Sequence, residues 1–231
     1  MSTIHPGKTT AETPLVAGQR LDQAEFHRRY EAMPSDVRAE LIDGVVYIPS
    51  PVSREHGHAD VNAIGWLMHY RRHTPGVEVL GDATTILGRK SEPQPDVQLR
   101  ILPECGGQSR NQGPYVGGAP ELVVEVAKAT RYVDLGPKLA DYERAGVLEY
   151  LVRALDPDEV LWFALRDRAF IQVSPDADGL YRSSAFPGLW LNPAALLSDD
   201  LDRLFAALDL GLATPQHAAF VARLANARES S

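Results

Sequence analysis

The sequence predicts an α/β chain, a body of strands and helices followed by a helical C-terminal extension. Three observations carry that prediction. Short apolar runs bounded by Pro, Gly or Asp recur between Glu40 and Phe186 and read as strands. Helix starts at Asp22, Ser53 and Asp134 precede or interrupt them, ahead of apolar positions at helical spacing, with Asp22 and Asp134 as capping residues. After Trp190 the strand runs cease and three helical segments follow. The expected division is a flexible N-terminal arm (1–20), a body (21–191) and a helical extension (192–231).

Taken in order, residues 1–20 are rich in Thr, Gly, Pro and Ala without periodicity, as a mobile arm would be. Asp22 is placed as an N-cap with Glu25 three residues on, and Leu21 and Phe26 as a hydrophobic staple. Phe26, Tyr30 and Met33 continue that helix to Pro34. Glu40 to Ile48 carries Asp43-Gly44 between two apolar runs, a hairpin signal because both central residues must take positive φ. A helix from Ser53 to about His73 is expected to turn Val61, Ile64, Gly65 and Met68 inward. Strands are expected at 77–80, 83–87, 96–101 and 122–126, with a polar loop from Pro103 to Ala119. Asp134 is expected to cap a helix that ends at Gly146. Strands at 147–152, 160–165 and 170–173 follow, then an Asp178-Gly179 hairpin turn into 180–186. The extension reads as helices over 192–197, 200–210 and 215–227, with Thr214 as N-cap and Pro215 at the first helical position.

Composition removes several classes of function. With 231 residues, 44% hydrophobic and 23% charged, the chain can bury a core without staples. One cysteine, Cys105, excludes an internal disulfide and a cysteine-based zinc site, and fits a reducing interior. No apolar run approaches the ~18 residues of a membrane span, and Met1 to Lys8 has no apolar signal region. A soluble cytoplasmic protein without a membrane partner is the expectation. The net charge of −8 counts against a broad phosphate-binding face. It leaves room for an enzyme that handles nucleic acid locally, because metal-binding acids themselves add negative charge. No Walker-type loop is present, since Gly106 to Ser109 lacks the lysine, and no Gly-x-Ser-x-Gly elbow occurs.

The chemistry centres on two carboxylates in strand-like runs. Asp96 follows Pro95, and Glu125 follows Leu122, Val123 and Val124, 29 residues later. Buried ionised acids are costly without compensation. If the two strands pair, opposed Cβ atoms stand ~4.5–5.5 Å apart, close enough for a divalent cation to bridge the acids. Hard oxygen donors in small number suit Mg²⁺ or Mn²⁺. Gln98 shares the Asp96 strand face and is placed to hydrogen-bond the site. On spacing alone the competing arrangement is favoured, with Asp96 at a solvated strand end and Glu125 facing water. A phosphodiester hydrolase also needs a cation near the attacking water. Lys128 is nearest to Glu125 in sequence but on the wrong strand face, where position 127 is Ala127. Lys138 lies at the edge of the inward face of its helix, between Leu135 and Tyr142, with Asp141 and Arg144 expected outward. A snorkelling surface lysine is the equal alternative. His56 and His58 lack a third metal ligand at their spacing and are expected as surface or capping groups.

The motifs in order resemble a known family. They are Glu40 to Val46, Ser50 to His56, Gln94 to Val97, Glu121 to Val126, Asp134 to Lys138, and Tyr142 to Tyr150. Over roughly residues 20–195 this arrangement is similar to the Uma-two family of putative restriction endonucleases, within the PD-(D/E)XK nuclease superfamily. The resemblance implies a restriction-endonuclease-like mixed central sheet flanked by helices, Mg²⁺ (or Mn²⁺) binding, and hydrolysis of phosphodiester bonds in nucleic acid, DNA first. It makes Asp96 and Glu125 the metal and catalytic acids, adds Glu40 as a further metal ligand, and moves the motif lysine from Ala127 to Lys138 as a catalytic residue. The rival reading is a non-catalytic binding or oligomerisation module that keeps the nuclease fold. Its motives are the acidic charge, Ala127 in the lysine slot, and apolar residues Leu204, Phe205, Leu208, Phe220 and Leu224, which either pack on the body or form a homodimer surface. A third option is a hydrolase of small phosphoesters.

Overall fold

The computed structural model describes residues 13–230. In chain order its elements are α1 (Gln23–Glu31), β1 (Glu40–Ile42), β2 (Val45–Tyr47), α2 (Arg54–His73), β3 (Val77–Gly81), β4 (Thr85–Ile86) and β5 (Val97–Ile101). Then come a 3₁₀ turn (Pro103–Cys105), β6 (Arg110–Gln112), β7 (Tyr115–Gly117), β8 (Leu122–Ala127), α3 (Arg131–Val133), a π-helical turn (Asp134–Lys138) and α4 (Leu139–Ala145). The chain closes with β9 (Glu149–Leu155), β10 (Asp158–Arg166), β11 (Ala169–Val173), β12 (Tyr181–Arg182), β13 (Trp190–Leu191), α5 (Pro193–Leu197), α6 (Leu201–Leu212) and α7 (Pro215–Glu229).

The centre is a six-stranded sheet in the order β11-β10-β9-β8-β5-β3. It is mixed: β8 and β9 are parallel, and every other neighbouring pair is antiparallel. Parallel neighbours need a crossover, and here the segment α3–π turn–α4 supplies it. That crossover carries Lys138 back across the sheet. Alternation along β8 sends Leu122 and Val124 into a core with α2 and the C-terminal helices, and Val123 and Ala127 into a second core with Tyr142 and Val147. Glu125 therefore projects into the second, α4-side layer.

Local chemistry explains the elements that frame the site. In the β1–β2 hairpin Asp43 and Gly44 take φ of 47° and 76°, the conformation a two-residue turn demands. The Asp22 side chain accepts the Glu25 N–H at 2.9 Å and starts α1, and Ser53 accepts the His56 N–H at 3.3 Å and starts α2. Leu21 packs in one cluster with the buried Phe26, as the staple requires.

Several details differ from expectation. The inward face of α2 is Ala59, Ala63, Trp66, Leu67 and Tyr70, whereas Val61 and Met68 are exposed. The two large rings set that face because they bury the most apolar area, and their polar tips are satisfied by Trp190 O at 3.0 Å and Pro187 O at 2.9 Å. The expected polar loop holds the β6–β7 hairpin, whose strand Arg110–Gln112 is wholly exposed and so shows no apolar alternation. A tight turn does form at Asp176–Gly179, but the strand after it pairs with β13 rather than β11. Of the expected arm, residues 1–12 lie outside the described residues, Leu15 is buried, and Gly18 N–H bonds to Val46 O at 2.8 Å. In the extension, Leu204, Leu208, Phe220 and Leu224 are buried in the same cluster as Trp66, Leu99 and Leu122.

Candidate active site

The antiparallel register of β5 and β8 runs Leu99↔Leu122, Gln98↔Val123 and Val97↔Val124. One step further along this register sets Asp96 opposite Glu125, just before β5. Asp96 Oδ2 accepts the backbone N–H of Val126 at 2.7 Å. Glu125 Oε1 accepts the Tyr142 hydroxyl at 2.7 Å and the Lys138 ammonium at 3.1 Å. Lys138 Nζ also lies 3.2 Å from Glu40 Oε1 and 3.7 Å from Asp134 Oδ1. Glu40, on β1, is fixed in turn by the Gln94 N–H at 2.7 Å, so the hairpin and the Pro93–Pro95 segment are tied to the same point.

These groups are nearly dry: the side chains of Glu125 and Asp134 are each 3% exposed, Lys138 8% and Glu40 11%. Three carboxylates thus face one ammonium out of water. Burial pushes the Glu125 carboxyl well above the usual range against the pull of Lys138, and the other acids add to the rise. Asp134 is raised to about 6, again by burial first. For Lys138 burial alone would favour the neutral amine, but Glu125, Glu40, Asp134 and Asp96 together raise it well above the normal lysine value. It is a fixed ammonium. Burial also acts to raise Asp96, yet the His56 contact, the Lys138 charge and the Val126 N–H hold it below the usual carboxylate range.

On the α2 side, His56 Nε2 stands 3.3 Å from Asp60 Oδ2 and 3.5 Å from Asp96 Oδ1. One donor atom from each of His56, Asp60 and Asp96 lies within 4.8 Å of the others, a grouping able to hold a metal ion. His56 is raised to about 10 by its contacts with Asp60 and Asp96, which outweigh burial.

The family profile described as "Putative restriction endonuclease", Uma2, matches residues 23–194. The chain belongs to the Uma2 family. Among solved structures, a putative nuclease of the domain family DUF820 from Anabaena variabilis superposes with a TM-score of 0.56 at 13% identity, covering 83% of this chain and 99% of that one. At that identity the likeness establishes the fold, a mixed sheet flanked by helices. Among curated proteins nothing matches.

In this Uma2 chain the expected residues Glu125, Lys138 and Glu40 meet through the contacts above, while Asp96 contacts the Val126 N–H and His56 instead. Ala127 is fully buried in the α4-side core, so no lysine fits its slot. Gln98 is not part of the site: it bonds Thr85 Oγ1 at 2.9 Å and Ala83 O at 3.1 Å instead. Asp134 is no cap, because helical backbone begins at Arg131, and it lies inside a π turn that aims it at Lys138. Asp141, expected outward, is buried and accepts the Asp43 N–H at 2.7 Å. His56 is not an isolated surface histidine. Its i, i+4 spacing to Asp60 was a legible helix-face pair; its approach to Asp96 was not, since it depends on how α2 crosses the sheet.

Proposed function

We propose that the chain is a metal-dependent endonuclease that hydrolyses phosphodiester bonds of DNA at Asp96, Glu125 and Lys138. The observation that carries this reading is the excess of buried negative charge: Glu40, Glu125 and Asp134 share one ammonium at 3.1–3.7 Å, and the Asp96 charge acts on it from further off. Such a cluster attracts a further cation or takes up protons. Asp134 Oδ2 is buried without a hydrogen-bond partner among the described residues, which marks unmet acceptor capacity at the same place. Oxygen-rich donors of this kind fit Mg²⁺ or Mn²⁺, and Asp96, Glu125 and Glu40 would hold the ion. When bound, such an ion supplies positive charge to the phosphoryl oxygens and acidifies water at the site.

The protein's own groups divide the remaining work. Asp96 is kept ionised and is oriented by the Val126 N–H. Tyr142 and Lys138 fix one oxygen of Glu125, which leaves its other oxygen for the ion. Lys138, whose ammonium form its acid neighbours favour, has the role of orienting the attacking water or stabilising charge that develops on the phosphate. Its 3.1 Å contact to Glu125 favours this reading over a non-catalytic module, which was motivated by the missing motif lysine. A homodimer, if formed, would use a surface other than Leu204, Leu208, Phe220 and Leu224, which are buried within the chain.

The test is cleavage of plasmid DNA, DNA oligonucleotides and RNA by purified protein with Mg²⁺ or Mn²⁺. Asp96→Asn, Glu125→Gln and Lys138→Met are each expected to lower the rate by about 10²–10³-fold, the usual cost of losing one stabilising group. Undiminished cleavage by both Asp96→Asn and Glu125→Gln sinks the mechanism.

A further inference from the structure

Lys138 pairs with Glu125 and Glu40, whereas Asp96 has its own partner on α2. There Asp96 Oδ1 meets His56 Nε2 at 3.5 Å, and His56 Nε2 meets Asp60 Oδ2 at 3.3 Å. For good hydrogen bonds these separations are long, N–H···O contacts favouring about 2.9–3.0 Å. They are the spacing of neighbouring donors around one small cation. With metal–ligand bonds of about 2.0–2.2 Å, adjacent ligands stand about 3.0 Å apart in octahedral and about 3.4 Å apart in tetrahedral coordination. All three donor atoms fall within 4.8 Å of one another. The second oxygen of Asp60, Oδ1, is buried with no hydrogen-bond partner among the described residues.

The elements make this arrangement stiff. Ser53 caps α2 and fixes the helix one turn below His56, while Ala59 and Ala63 bury the adjacent face against the sheet. His56 and Asp60 lie one turn apart on the same side, and Asp96 is anchored by the Val126 N–H through its other oxygen. The side chains of His56, Asp60 and Asp96 are 19%, 23% and 18% exposed, so an ion can enter from solvent without opening the core.

We infer that His56, Asp60 and Asp96 form a second cation subsite of the same centre, one with a nitrogen donor that selects a first-row transition ion over Mg²⁺. The inference rests on the reading of Asp96 as a metal ligand and adds two ligands from α2. Imidazole is a donor for transition ions, whereas Mg²⁺ demands hard oxygen and retains its water. Asp96 would be shared, turning Oδ1 to this subsite while Glu125 and Glu40 serve the other.

The experiment titrates the full-length protein with Co²⁺, followed by visible absorption and calorimetry, and with Mn²⁺, followed by electron paramagnetic resonance. His56→Gln and Asp60→Asn keep side-chain volume at half-buried positions, and thermal unfolding in chelator checks that they remain folded. Wild type is expected to show a Co²⁺ spectrum that Mg²⁺ displaces only at large excess. Both variants are expected to bind Co²⁺ at least about 10–100-fold more weakly, since even an outer partner of a ligand is worth that much, and Glu125→Gln is expected to retain the signal. If His56→Gln and Asp60→Asn bind Co²⁺ like wild type while Glu125→Gln does not, the subsite is overturned and the nuclease reading stands. If wild type gives no Co²⁺ signal, His56 is only a protonated bridge between two aspartates and the inference is likewise overturned. Failure of the nuclease reading is a separate result, read in the cleavage assay of Asp96→Asn and Glu125→Gln.

Discussion

Lys138 holds the buried acids together, and its surroundings give the size of the effect. A buried ammonium that contacts Glu125 at 3.1 Å and Glu40 at 3.2 Å is costly to desolvate, but removing it alone leaves the acids buried and unpaired. Breaking a buried pair from one side typically costs about 3–5 kcal/mol. Lys138→Met is therefore expected to lose about that much stability in urea denaturation at neutral pH with chelator present. Saturating Mn²⁺ should restore part of the loss, because a divalent ion can supply the missing positive charge. A variant as stable as wild type in chelator would mean that the acids are already protonated and the lysine holds nothing. Tyr142 belongs to the same account. A fully buried phenol needs a hydrogen-bond partner, and it finds Glu125 at 2.7 Å. Both the Glu125 oxygen and the lysine bound to it are thereby held in place beside the sheet.

At the level of elements, what the sequence made legible is what local chemistry determines. The Asp43-Gly44 turn, the helix starts at Asp22, Ser53 and Thr214, and the stop at Gly146 all form where side-chain type demands them. What stayed hidden depends on packing between elements. The burial of Asp141, the π turn that aims Asp134, and the meeting of His56 with Asp96 have no local signal, because each is fixed by a partner distant in sequence. Position 138 was visible as an inward-edge residue, and Glu125 and Glu40 were expected beside it; Asp134 was expected only as a helix cap. His217 is a similar case in α7. It is buried, with Nδ1 3.0 Å from Leu212 O and Nε2 2.9 Å from Thr74 Oγ1 at the end of α2. Burial lowers its pKa below the ordinary 6.5. Below that pH the unfolded chain binds a proton that the folded chain resists, so this histidine destabilises the fold as pH falls through 6.5 and toward its native pKa. His217→Gln is expected to be less stable than wild type at pH 8 by about 1–2 kcal/mol, the worth of its hydrogen bonds. The gap should narrow as pH drops from 7 to 5. A gap that stays constant across that range would show that the imidazole is not held neutral.

Across the whole molecule, the two layers on the central sheet do different things. The α4 side carries the charged cluster over a small aromatic core of Tyr142 and Tyr150. The α2 side carries the largest apolar cluster, which runs from Trp66 and Leu99 through Trp162 to Leu204, Leu208 and Phe220. Sequence character changes after Trp190, but this cluster is continuous across that point. We therefore propose that the helical extension unfolds with the body, as one cooperative unit. Leu208 is fully buried, and Leu208→Ala is expected to cost about 2–5 kcal/mol, the range for deleting a buried leucine side chain. The informative part is the shape of the transition. Trp66 and Trp162 stack edge-to-face at 6.2 Å in that cluster, so tryptophan fluorescence reports on the layer the tail helices cover. Far-UV circular dichroism reports on all helices and strands together. If the tail is integral, both probes shift to the same lower midpoint in Leu208→Ala and stay coincident, as a two-state unit requires. A separate early loss of helical signal, with the fluorescence midpoint unmoved, would instead mark residues 192–231 as an independently melting appendage. Glu125 and Lys138 lie on the α4 side of the sheet, across from Leu208, so below its transition the variant is expected to keep wild-type cleavage. Loss of cleavage there would mean that strain in the α2 layer reaches Asp96, which contacts His56 on α2.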